Sequence, residues 1–338
     1  MTRSYNLISS SPDMTGSDSS HSYTSFSSAD FSPGARMMVG MAIGDAFGAR
    51  FENLNRHEIS LPKGPLTYQN QNRYTDDTQM AIAVAELLIS GDPFTDENLA
   101  LAFLHAYRRD PRPGYSPLTT SMLCGSADSA AFLHWLSDDE IRERKSDGAV
   151  MRALPLGFMT DRKKVVESAI TSARITHNHP DSVAATVGVA LIAHERFFRK
   201  RIFADIIRDL PRSIPNLNPS QLAYLSGIIS VGLNPEVILG SYADYGVPYT
   251  ESLIMLGAVM AILSICGEDP DYALRTSILF GGDTDTTAAL VLGAALIHPG
   301  KDTLPNLLLT DLEDGRYGRD FLMDLGDRLS ARFPIIRS

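Results

Sequence analysis

Leu253 to Gly267 is a run of 15 residues with no charged side chain and a single hydroxyl, Ser264. It is shorter than the roughly 18–20 residues a bilayer helix needs, and it is apolar on every side. Such a segment reads as a helix buried all round, so enough other helices must exist to enclose it. The rest of the chain supplies them. From Pro33 onward the apolar positions recur at helical spacing: Met37, Met41, Gly44, Asp45, Gly48 and Glu52 fall on one face of a helix expected over 35–52. Thr75 is placed as the N-cap of a helix that runs to Ser90, where Gly91-Asp92-Pro93 stops it. A helix follows over 95–107, then a Pro/Gly-rich loop over 108–117. Further helices are expected over 126–136, 162–174, 181–199, 219–231, 250–267, 270–279, 285–297 and 316–332. Sustained strand alternation is missing and no internal repeat is found. Residues 33–338 therefore read as a single all-α domain.

Residues 1–32 differ in kind. They hold twelve serines, four charged side chains and isolated apolar ones: Tyr5, Leu7, Ile8, Tyr23, Phe26 and Phe31. A segment of this composition cannot bury enough apolar surface to offset the entropy of ordering, so a flexible extension is expected. Its spaced aromatics suit an arm that orders on a partner. The whole chain carries 30 Lys and Arg against 40 Asp and Glu, a net charge of -10. That sign opposes nucleic-acid binding. Cys124 and Cys266 are too few and too far apart for a disulfide framework or a cysteine zinc site. With no membrane span and no secretion signal, the cytoplasm is the expected compartment.

Two short stretches carry more acid than helix capping requires: Thr75-Asp76-Asp77-Thr78 and Gly281-Gly282-Asp283-Thr284-Asp285-Thr286. Each leads into an apolar helix that must pack in the core, so the two helix starts can meet. If they do, four carboxylates converge. Two unit charges about 4 Å apart repel by about 4 kcal/mol at an effective dielectric near 20, and four charges make six such pairs. Only protons or cations make that cluster tolerable. Oxygen ligands without Cys or His favour hard cations. Asp76 and Asp77, about 100° apart on a helix, suit two neighbouring ions.

In order and spacing, Gly44-Asp45-Ala46-Phe47-Gly48-Ala49-Arg50-Phe51-Glu52, Thr75 to Met80, Val150 to Gly157, Thr176-His177 and Gly281 to Thr286 resemble the ADP-ribosylglycohydrolases. The likeness is to the group typified by dinitrogenase reductase-activating glycohydrolase. It implies an all-α fold with two magnesium or manganese ions at the base of a cleft. By this resemblance Thr75, Asp76, Asp77, Asp283, Asp285 and Thr286 are metal ligands. Glu52 moves protons beside them, with Asp77 part of the same catalytic centre. Ser146, Asp147, Gly148 and Ala149 align with a loop that holds a diphosphate, and His177 with a ligand-contacting histidine. The family's usual Gly-Asn-Gly-Gly is here Ser-Asp-Gly-Ala, and a carboxylate at Asp147 would repel a diphosphate unless it points away.

The implied activity is removal of ADP-ribose from a modified protein, with arginine as the acceptor and serine-linked or O-acetyl-ADP-ribose as alternatives. Some relatives are immunity proteins against ADP-ribosyltransferase toxins, and residues 1–32 could bind such a toxin, so a non-catalytic toxin-binding blocker on a hydrolase fold is the alternative reading. A prenyl-diphosphate enzyme fits poorly, because the second acid pair is Asp-Thr-Asp at a loop and not a DDxxD cluster within a helix. Among other residues, Asp45 is expected to tie helix to loop. His105, His134, His194, His298 and Trp135 read as packing or surface groups, His177 and His179 as structural or substrate-contacting residues more than as a two-histidine metal clip, and the basic run Arg196 to Arg201 as a solvated helix end.

Overall fold

The computed structural model describes residues 31–69, 71–300 and 306–335. The partner-binding arm expected in residues 1–32 falls almost wholly outside them. Sixteen α-helices make up the described fold. The first six are α1 (Pro33–Gly48), α2 (Asp76–Ser90), α3 (Asp96–Arg109), α4 (Pro117–Gly125), α5 (Ser129–His134) and α6 (Asp139–Arg142). Next come α7 (Arg162–Arg174), α8 (Pro180–Arg199), α9 (Phe203–Ser213), α10 (Pro219–Val231) and α11 (Pro235–Leu239). The last five are α12 (Ser252–Cys266), α13 (Pro270–Leu279), α14 (Thr284–Ile297), α15 (Asn306–Asp311) and α16 (Arg319–Arg332). Extended pairing among the described residues is limited to one isolated bridge, Val247 with Gly282. The chain is all-α, and no helix among the described residues is long and apolar enough to cross a membrane.

The apolar run forms α12, which is buried over residues 255–263 against α8, α9, α10, α13 and α14, but not all round as expected, since Ile265 near its end is exposed. Helices α1 and α14 are also buried on almost every side, and the contact between them is the most extensive in the molecule. A stripe of small residues makes it possible. Gly40, Gly44 and Gly48 recur every fourth residue and lie on the backbone at Leu292, Ala288 and Thr284, which also recur every fourth residue. The pairing runs in opposite directions, so α1 ends where α14 begins. At that end Thr284 Oγ1 donates to the Gly48 carbonyl at 2.8 Å. The interior thus delivers the second acid cluster to the end of the first helix.

Helix α1 stops at Gly48, four residues short of the expected 52, and Glu52 lies on a turn. Asn53 adopts a left-handed backbone (φ 64) and gives its N–H to the Gly282 carbonyl at 2.9 Å, which draws the chain off the helix axis. Helices α4, α6, α9, α11 and α15 were not expected from the sequence. In α4 the signal is present, since Ser116 caps and Pro117 opens the helix, but it hides inside a Pro/Gly-rich stretch. The basic run is not simply a solvated end. Arg196 is buried, takes both Glu268 carboxylate oxygens at 2.9 and 2.7 Å, bonds the Arg201 and His298 carbonyls, and stacks on Phe203. It ties the end of α8 to the α12–α13 link.

Candidate active site

Asp45 organises the start of α2 from a different helix. It is completely buried and accepts four hydrogen bonds. Thr75 N–H and Oγ1–H donate to Oδ1, both at 2.8 Å, and Thr78 N–H and Oγ1–H donate to Oδ2 at 3.0 and 2.6 Å. A carboxylate from α1 therefore satisfies the free amides at the start of α2, the work a local N-cap usually does. Even with four donors, burial holds its pKa up at about 6.

The start of α14 is fixed by chain segments remote in sequence. Val247 N–H donates to the Gly281 carbonyl at 3.1 Å, Asp283 N–H to the Val247 carbonyl at 2.8 Å, and Gly282 N–H to the Leu54 carbonyl at 3.1 Å. Gly281 and Gly282 both have positive φ, 70 and 71, and a side chain at Gly282 would strike the Val247 backbone. Asp283 then caps α14 by accepting from Thr286 N–H, which Asp285 also receives.

These two helix starts meet. Burial pushes Asp76, Asp77, Asp283 and Asp285 well above the usual carboxylate range, and their neighbours push further. Asp45, Asp283 and Glu52 act on Asp76, while Asp285, Asp45, Asp76 and Asp283 act on Asp77. Asp283 feels Asp147 most, and Asp285 feels Asp283 and then Glu52. Asp76 is still partly open to a cleft of about 430 Å³, whose lining also includes Glu52, Asp77, Asp283, Asp285 and Thr286. Glu52 is exposed at its edge and accepts from Asn53 Nδ2 at 3.2 Å. Gly114, with φ 106, presses against Asp76 so closely that any side chain there would overlap the carboxylate.

The 146–149 loop and His177 line the same cleft. Ser146 Oγ is 2.7 Å from His177 Nε2, and Thr176 Oγ1 is 2.8 Å from Nδ1. Burial, then Arg144 and Arg152, hold the imidazole pKa well below its ordinary value, so the ring is neutral. Ala149 is buried outside the lining. The Asp147 carboxyl faces Asp283, and burial raises its pKa to about 7. His179 caps α8 by accepting from Asp181 N–H, so it forms no metal clip with His177. Trp135 packs against the core outside the cleft.

The sequence does not single out Arg144 and Arg152 as site residues, yet both line the cleft. Arg152 is buried and donates to the Gly148 and Ser172 carbonyls and to the Ser172 and Thr176 hydroxyls. Its guanidinium also lies 4.7 Å from the centre of the Phe103 ring. Arg144 donates to the Ile141 and Thr176 carbonyls. Among the described residues neither has a carboxylate partner, and burial lowers both pKa values, that of Arg152 to about 9. A charged residue inside the apolar stretch Val150 to Leu154 was the available signal for Arg152. The cleft is thus acidic around α2 and α14 and cationic around His177.

The acidic part has the chemistry of a site for hard cations. Its donors are carboxylates and hydroxyls, and two buried oxygens, Asp77 Oδ1 and Asp147 Oδ2, receive no hydrogen bond. No three acidic, imidazole or thiol side chains are already gathered as a metal cage among the described residues. The acids instead face one another in pairs, Asp147 with Asp283 and Asp283 with Asp285. The donor set fits hard cations.

Known proteins share this architecture. A protein of Archaeoglobus fulgidus is 26% identical over 316 residues, spanning 86% of this chain and 94% of that one. ADP-ribosylhydrolase ARH3 of Xenopus tropicalis is 24% identical over 308 residues, spanning 79% and 87%. A solved chain described as an ADP-ribosylglycohydrolase-related protein complex shares the fold with a TM-score of 0.67 at 21% identity, covering 89% of this chain and 98% of its own. The ADP-ribosylglycohydrolase family model matches residues 32–335, nearly the whole described fold. With acid-bearing helix starts brought together inside that fold, the chain belongs to the ADP-ribosylglycohydrolase family.

Proposed function

We propose that this glycohydrolase is a divalent-metal-dependent enzyme that releases ADP-ribose from a modified protein, with arginine as the acceptor. The observation that carries the reading is the polarity of the cleft. Carboxylates of α2 and α14 crowd one part, while Arg144 and Arg152 leave positive charge unpaired near His177. A ligand with a ribose diol at one end and phosphates further along complements both.

Thr75, Asp76, Asp77, Asp283, Asp285 and Thr286 would hold two magnesium or manganese ions. When bound, such ions would supply Lewis acidity, orienting vicinal hydroxyls and lowering the pKa of a water. The protein's own side chains do the rest. In the reaction the C1′–N bond to the acceptor breaks, water oxygen bonds to C1′, and one water proton ends on the departing nitrogen. Charge on the oxocarbenium-like ribose is stabilised by the surrounding carboxylates. Glu52, exposed at the mouth, is positioned to relay the proton and to favour a cationic guanidinium acceptor. The neutral His177, held by Ser146 and Thr176, offers a fixed polar contact without competing charge.

The test is release of ADP-ribose from an arginine-ADP-ribosylated protein, with magnesium and with EDTA, by wild type and by Asp76→Ala/Asp77→Ala. Release that requires both metal and aspartates is expected. If only serine-linked or O-acetyl-ADP-ribose is cleaved, the acceptor assignment is wrong; if none is cleaved, the hydrolase reading is.

A further inference from the structure

We propose that Asp147 supplies an additional oxygen ligand to the divalent cation held by Asp283, and makes no contact with substrate phosphate. This rests on the metal-dependent reading of the cleft. The residue's surroundings argue for it from both ends of the amino acid. A loop that cradles phosphate does so with free backbone amides, but the Asp147 N–H is already given to the Tyr249 carbonyl at 3.1 Å. Its own carbonyl accepts from Val150 and Met151, closing a single 3-10 turn over Asp147–Ala149. That turn directs the side chain inward.

The side chain ends among acids. Asp147 is only 7% exposed, its carboxyl faces that of Asp283, and Oδ2 has no donor within reach. Asp77 and Asp285 are near enough to act on it. The polar groups beside it in the loop are committed elsewhere, Ser146 Oγ to His177 and the Gly148 carbonyl to Arg152. A buried carboxyl that faces a second one and has an oxygen without any donor is costly unless a cation or proton lies between the two groups. An asparagine at this position could donate an amide N–H to Asp283 and would need neither. Aspartate here therefore adds one negative charge to the acidic end of the cleft and offers Asp283 no such donor.

The experiment is Mn2+ titration at pH 7.5, followed by the electron paramagnetic resonance signal of free Mn2+. It uses wild type, Asp147→Asn, Asp147→Ala and the Asp76→Ala/Asp77→Ala control. ADP-ribose binding is measured by calorimetry in EDTA. One Mn2+ site is expected to loosen by about 10–100-fold in both Asp147 variants, with ADP-ribose affinity unchanged. Asp147→Asn, which can donate to Asp283, should unfold in EDTA at a temperature no lower than wild type, so a loss of Mn2+ cannot be blamed on misfolding. Unchanged Mn2+ affinity in Asp147→Asn overturns the proposal. So does tighter ADP-ribose binding by that variant, which would mean the carboxylate had been facing phosphate. Wild-type protein that takes up no Mn2+ defeats the metal-dependent reading as well as this one, and so separates the two failures.

Discussion

Replacing Gly44 by alanine tests whether the contact between α1 and α14 is set by backbone-to-backbone approach. An added Cβ would lie 2.3 Å from the Ala288 carbonyl oxygen and 2.7 Å from the Ala289 nitrogen. A comfortable carbon-to-oxygen contact is about 3.3 Å, so the helices must part by roughly 1 Å. No side chain can rotate away, since the clash is with backbone on both sides of the pair. Overpacking of this kind costs about 1–3 kcal/mol, while alanine's better helix propensity returns about 1 kcal/mol. With the clash at the severe end, Gly44→Ala should lose about 2 kcal/mol. Gly227, inside α10, has nothing within 4 Å of its would-be Cβ. There the same change should gain about 0.5–1 kcal/mol. Urea unfolding followed by circular dichroism gives both midpoints, one below wild type and one above. Midpoints that move together, or a Gly44→Ala midpoint at or above wild type, would refute the reasoning. Because the parting occurs one turn from Asp285, Gly44→Ala should also cut turnover by about 10²-fold, the penalty of a 1 Å misplacement.

Three further outcomes are expected. Asp45→Asn leaves one of the two backbone N–H groups, Thr75 or Thr78, without an acceptor, whereas Asp45→Ala leaves both and a cavity. Losses of about 1–3 and about 3–5 kcal/mol should rank that way in urea unfolding. The pH dependence follows from raised carboxyl pKa values. Asp45 titrates near 6 and Asp147 near 7 when folded, against 3.8 ordinarily, so between those values the folded state holds more protons than the unfolded. Stability of the metal-free protein therefore falls as pH rises from 4 to 7, with Asp147 alone worth on the order of 4 kcal/mol at 1.36 per unit. Thermal unfolding in EDTA should occur at a higher temperature at pH 5.5 than at 7.5, and magnesium should raise it more at pH 7.5; the opposite order would contradict the clustering. Finally, Glu52→Gln should lower kcat by about 10²–10⁴-fold with unchanged melting temperature, since Glu52 is exposed and off the helix.

Most helix starts were legible because their signals are local. Pro33, Thr75, Thr95, Pro180 and Asp283 each announce a helix within three or four residues, and Gly91 ends one with a left-handed turn. What could not be read depends on partners far along the chain. Glu52 continues the periodicity of α1, yet Asn53 leaves the helix to bond Gly282, more than two hundred residues away. Asp147 matches a phosphate loop by alignment, but a single bond from its amide to Tyr249 and a turn of 3-10 helix aim its carboxyl at Asp283. Arg144 resembles its surface neighbours in a charged stretch, and only folding shows that no acid answers it. The sequence placed Gly44 and Gly48 on one face of α1; that these two and Gly40 would seat α1 on α14 depended on matching them with Thr284, Ala288 and Leu292.

The acids at these helix starts are a poor bargain for folding alone. A helix N-terminus stabilises a carboxylate by about 0.3–1 kcal/mol, and by up to about 2 kcal/mol when partly buried. Each close pair of buried charges repels by about 4 kcal/mol at an effective dielectric near 20. Four carboxylates collect at most four such gains and must bear several such repulsions, to which Asp45 and Asp147 add more. Their raised pKa values express that imbalance as retained protons. The glycine seam between α1 and α14, the trans cap from Asp45 and the backbone bonds that join residues 53–54, 247 and 281–283 prevent the acids from relaxing apart. A rigid interior thus maintains a concentration of carboxyl groups whose ionisation its own helix dipoles cannot offset. Divalent cations would displace those protons, so affinity for metal should rise with pH in proportion to the protons displaced. A pH-independent Mn2+ affinity between 5.5 and 7.5 would show that the carboxylates are already ionised and apart.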